Sequence, residues 1–84
     1  MPGVMDIRLL IGRNVVRIRR AKGWTQEQLE AHSGFSQHYL SGLERGLRNP
    51  TVMTVCTLAT ALEVDYLELL SPEPQETGPA APEV

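Results

Sequence analysis

Eighty-four residues with 42% hydrophobic content allow one small domain, and no apolar run approaches the roughly 20 residues of a membrane span. A single cysteine, Cys56, excludes an internal disulfide and a multi-thiolate metal centre, and His32 and His38 lack partners at metal-ligand spacing. The net charge of −2 hides an asymmetry: Glu73, Glu76 and Glu83 share a terminal stretch with no basic residue, which leaves the chain before it net basic.

Residues 1–5 read as a loose, flexible start. A helix fits Asp6–Lys22, where Ile7, Leu10, Ile11, Val15 and Ile18 recur at spacings of three and four. Basic residues close it before Gly23. Thr25-Gln-Glu-Gln28 has the form of a capping box, with Trp24 placed as a hydrophobic staple. The second helix runs to about Ser33, because Gly34 stops it. Ser36 caps a third helix to about Glu44, and Gly46 ends that one. Two short helices around a glycine-containing turn form a helix-turn-helix layout. Arg48-Asn49-Pro50 is a loop. Thr51 caps a fourth helix to about Glu63, with Val52, Val55, Leu58, Ala59 and Leu62 on one face. Asp65 starts a last short helix, Tyr66–Leu70. From Ser71 onward, prolines, acids and small residues leave nothing to bury, so residues 71–84 are expected to be a disordered tail.

Within the helix-turn-helix, Leu29, Phe35, Leu40 and Leu43 are the anchors and Gly34 supplies the turn. Gln37, His38, Ser41, Gly42 and Arg45 are left pointing outward, with Tyr39 at the boundary. Glutamine pairs bidentately with adenine, and histidine and serine read at short range with less discrimination. Arginine and asparagine at helix ends position a duplex without reading it. Several residues also have plainer roles. Trp24 and Cys56 fit core packing, and His32 fits an exposed helix face. Tyr39 suits packing or a phosphate contact. Tyr66, Leu69 and Leu70 suit core closure or a dimer seam.

The stretch Ile11–Leu70 resembles the lambda-repressor-like helix-turn-helix family (Cro/CI type, or XRE). The resemblance rests on Ile11-Gly12, Arg17-Ile-Arg-Arg20, Gly23-Trp-Thr-Gln26, Leu29, Gly34-Phe-Ser36, Tyr39-Leu-Ser41, Glu44-Arg-Gly46, Asn49-Pro50, Leu58-Ala59 and Leu62-Glu-Val64, in order. It implies an all-α, compact five-helix domain over residues 6–70 that binds operator DNA as a two-fold dimer. It gives Gln37, His38 and Ser41 base-facing roles. Gln26, Tyr39, Arg45, Arg48 and Asn49 fall to the DNA backbone, and Arg19 and Glu44 to a buried ion pair. Four residues depart from the family pattern: Glu30 for alanine, Gly42 for a larger polar or basic residue, Leu47 for lysine, and Glu63 for a helix-ending glycine.

The expected function is that of a cytoplasmic, sequence-specific transcriptional regulator, a repressor, reading an inverted repeat in double-stranded DNA through residues 36–44. A restriction-modification controller is a variant of that reading. An antitoxin-like or regulator-antagonist protein, binding a protein partner through the tail or last helix, is the alternative. No arrangement of nucleophile, base or clustered carboxylates has catalytic logic, so neither an enzyme nor a cofactor is expected.

Overall fold

The computed structural model describes residues 6–72, which form five α-helices: α1 (Ile7–Ala21), α2 (Gln26–Ser33), α3 (Gln37–Glu44), α4 (Val52–Leu62) and α5 (Tyr66–Leu70). Residues 1–5 and most of the 71–84 segment, where a flexible start and a disordered tail are expected, lie outside the described residues.

Each helix starts on a side-chain cap of the kind the sequence encodes. Asp6, Thr25, Ser36, Thr51 and Asp65 each accept a hydrogen bond from an amide of the first turn. The Thr25–Gln28 capping box is complete, with both reciprocal bonds formed. Asp6 also takes two hydrogen bonds from the Arg8 guanidinium. That partner, with the Arg8 amide, holds the Asp6 carboxyl below the usual carboxylate range.

The helices close a ring around one core. α1 packs on α3, α3 on α2, α2 on α4, α4 on α5, and α5 back on α1. Ile11, Val15, Ile18, Leu29, Leu40, Leu43, Val55, Leu58, Ala59, Leu62 and Leu69 fill the centre, with Trp24, Phe35 and Tyr39 against its edge. Gly12 permits the approach of α1 to α3. A Cβ there would stand 2.6 Å from the carbonyl oxygens of both Leu43 and Glu44.

Three expectations are corrected. Ile7 and Val52 do not join the core stripes. They sit at the first positions of their helices, beyond the reach of the packed faces, and both are exposed, Val52 at 78%. Cys56 is half-buried at the edge of a groove rather than in the core. Leu69 is 0% exposed and belongs to the core, so it cannot contribute to a dimer seam; in so short a helix the inward turn that closes the ring must bury it. Glu63 stands in the left-handed region at φ 63°, so α4 ends as a glycine would end it.

One buried polar residue carries no signal in a hydrophobic pattern. Asn14 is 0% exposed in the middle of α1. Its amide nitrogen donates to the Leu69 and Ser71 carbonyls at 2.9 and 2.8 Å, and its oxygen accepts from Arg17. It satisfies the carbonyls at the end of α5, which has no further turn to do so.

Candidate nucleic-acid interface

α3 is the element the fold holds out. Leu40 and Leu43 plug it into the core, and its other face carries Gln37, His38 and Arg45, all exposed, with Ser41 half-buried between them. The turn before it follows from Gly34, whose φ of 84° suits a residue without a Cβ. Ser36 then caps α3 through the Tyr39 amide at 3.1 Å. Phe35 and Tyr39 pack ring to ring at 5.4 Å and seal the turn against the core.

The C-terminal end of α3 is braced from behind. Arg19 of α1 reaches Glu44 with two hydrogen bonds, Nε to Oε2 at 2.6 Å and Nη2 to Oε1 at 3.1 Å. Their side chains are only 9% and 5% exposed. The remaining Arg19 Nη1 donates to the Trp24 carbonyl at 2.7 Å. A planar guanidinium is suited to three such partners at once. The brace thus joins α1, the start of α2 and the end of α3.

Gln26 belongs to the same network. Its amide nitrogen donates to Glu44 Oε1 at 2.8 Å. Part of the side chain expected to meet a phosphate is therefore engaged within the protein. Sequence spacing cannot show this, because the three residues come from three helices.

Beyond α3, Asn49 is exposed, while Arg48 folds back over α3. Its guanidinium carbon lies 5.5 Å from the Tyr39 ring centroid, and its stem crosses Gly42. Gly42 is therefore buried beneath Arg48 instead of pointing outward, a further correction forced by the missing side chain at that position. Glu30 is exposed and does not disturb the α2–α3 packing; Leu47 is exposed as well. Several basic groups of α1 are already used. Arg8 pairs with Asp6, Arg19 with Glu44 and Lys22 with Glu63, whereas Arg45 and Arg48 have no carboxylate partner among the described residues. Among the described residues, cationic groups without a carboxylate partner thus stand at the end of α3 and in the loop after it, as well as at Arg13, Arg17 and Arg20 of α1.

Tyr66 and Leu70 are on the far side of α1 from α3. With Ile7, Ile11, Pro50, Val52, Val55 and Cys56 they line an open apolar groove of about 500 Å³. Among the described residues, no cluster of His, Cys, Asp or Glu is placed to hold a metal, and no helix is long and apolar enough to cross a membrane.

Known proteins are similar to this chain in sequence and in fold. The HTH-type transcriptional regulator y4dJ of Sinorhizobium fredii is 62% identical over 68 residues, spanning 81% of this chain and 88% of that protein. The restriction-modification controller protein C.AhdI of Aeromonas hydrophila has a similar structure, with a TM-score of 0.71 and 39% identity over 74% of this chain and 94% of its own. The controller C.Esp1396I, solved as a tetramer in complex with its natural 35 base-pair operator, has a TM-score of 0.70 and 33% identity over 76% of this chain and 88% of its own. The Helix-turn-helix family profile matches residues 16–69, and the chain belongs to that family.

Proposed function

We propose that the chain is a sequence-specific regulator of transcription that inserts α3 into the major groove of double-stranded DNA and acts as a repressor. The observation that carries this reading is the exposed polar face of α3, with Gln37, His38 and Ser41, held rigidly from behind by the Arg19–Glu44–Gln26 network. A recognition element must present side chains to base edges without moving, and a helix pinned by a buried ion pair does so. Gln37 reads adenine, His38 and Ser41 contact neighbouring base edges, and Arg45, Asn49 and the free part of Gln26 grip phosphates. Tyr39, half-buried beside them, supports the same face. It is a binding protein rather than a catalyst, and it works where the DNA is, in the cytoplasm.

One recognition helix reads too few base pairs to single out a site in a genome, so the functional unit is a two-fold homodimer on an inverted repeat. Its half-site centres lie about 34 Å apart, or 10–10.5 base pairs. The likeness to C.AhdI across nearly all of that protein favours one refinement, a controller of a neighbouring restriction-modification system.

Selection from random duplex DNA tests the reading. The wild-type chain is expected to enrich an inverted repeat. Gln37→Ala should then relax preference at one position of each half-site, by about 1–3 kcal/mol of discrimination. Arg45→Ala should weaken binding to all sequences alike and lower the salt slope by about one. Enrichment of no sequence by the wild type, or the same loss of specificity from both variants, overturns this assignment of roles.

A further inference from the structure

We propose that Arg48, supplied by the loop after α3, is a guanine-reading residue that replaces the side chain Gly42 lacks. The inference rests on the DNA-binding reading above and departs from a phosphate role for Arg48. Gly42 lies one helical turn after His38 and next to Ser41, at the border of the exposed face of α3. A side chain at this position would project beside that of His38. Arg48 occupies the space instead: a Cβ on Gly42 would stand 2.7 Å from Arg48 Nε and 3.3 and 3.4 Å from its Cγ and Cδ.

The side chain is also held in place. Its guanidinium lies over the Tyr39 ring at 5.5 Å. Its Nε is shielded from solvent without a hydrogen-bond partner, and no carboxylate pairs with it among the described residues. A guanidinium free to sweep the surface suits a phosphate, which any approach satisfies. One clamped between an aromatic ring and a bare stretch of helix has a fixed direction, and its two Nη groups remain as a fork. That fork matches O6 and N7 of guanine in the major groove. Gly42 and Tyr39 are positioning residues in this arrangement: one leaves the channel and the other holds the head group.

The test is selection from random duplexes with the wild type, Arg48→Ala and Gly42→Ala, alongside thermal melts and the salt dependence of binding. The wild type should enrich one guanine per half-site beyond the position sensitive to Gln37. Arg48→Ala should lower that single preference about tenfold and leave the others intact. Gly42→Ala should lose the same preference while Arg48 is still present, because the new methyl displaces its stem. This variant should fold, since the displaced atoms belong to a flexible side chain rather than to backbone. A uniform loss of affinity in Arg48→Ala with a salt slope lower by about one identifies a phosphate contact and overturns the inference. An unchanged guanine preference in Arg48→Ala overturns it alone, whereas a wild type that enriches nothing overturns the regulator reading with it.

Discussion

Glu44 is a buried carboxylate that joins side chains from two other helices. One oxygen takes Arg19 Nε, and the other takes both Arg19 Nη2 and Gln26 Nε2. Removing Arg19 leaves the Glu44 charge behind in a site that water scarcely reaches. Arg19→Met should therefore destabilise by about 3–5 kcal/mol, measured by chemical denaturation. A loss below about 1 kcal/mol is the behaviour of a surface pair and would remove the brace from this account. Arg19 and Glu44 were legible in the sequence as partners only through family resemblance. Gln26 was legible as a helix-start residue but not as the third member, because nothing in a linear string places residue 26 beside residue 44. Arg48 is hidden for the same reason. Its neighbour is defined by an absence, the missing side chain of Gly42, which from the sequence alone reads as an outward position with nothing on it.

At the scale of elements, three helices stop by one device. After α1, the Trp24 amide bonds back to the Arg19 carbonyl and Gly23 to Arg20. After α3, Leu47 bonds to Gly42 and Gly46 to Leu43; after α4, Val64 bonds to Ala59 and Glu63 to Thr60. The reversing residue is glycine in the first two, at φ 76° and 78°, and Glu63 in the third. A residue with a Cβ held in the left-handed region costs about 1–2 kcal/mol. Glu63 recovers only an exposed ion pair with Lys22, at 3.1 Å. Glu63→Gly should thus raise stability by about 0.5–1 kcal/mol, visible as a rise of a few degrees in the melting temperature. A fall would show that the Lys22 pair outweighs the backbone. Caps, stops and helix count were legible because each is written in residues adjacent along the chain. The close approach at Gly12 was not, since the obstacle there is the backbone of a helix some thirty residues later.

Taken whole, the ring of helices leaves apolar surface on the side of α1 and α4. Tyr66 and Leu70 of α5 are exposed beside Ile7 and Val52 along the apolar groove. That is the surface on which a two-fold partner would sit, with Leu69 facing away from it into the core. Val52→Glu should give folded monomers in analytical ultracentrifugation and much weaker binding to an inverted repeat. Leu69→Glu should instead unfold the domain, as a charge at a fully buried site does. Intact dimers in Val52→Glu would place the seam elsewhere. The inward side of α5 was not legible: the sequence marks α5 as apolar, but with so few turns, periodicity cannot tell its buried leucine from its exposed ones. The same compactness makes the molecule its own optical probe. Trp24 is the only tryptophan, and its indole lies 4.1 Å from the His32 imidazole at an interplanar angle of 4°, with the Lys22 ammonium 4.9 Å from its centroid. An imidazole stacked face to face on an indole shields it from water and alters its emission, so the emission changes when unfolding parts the two rings. Because His32 borders the α4 residues Thr57, Thr60 and Ala61, that fluorescence reports the integrity of the fold where α2 meets α4.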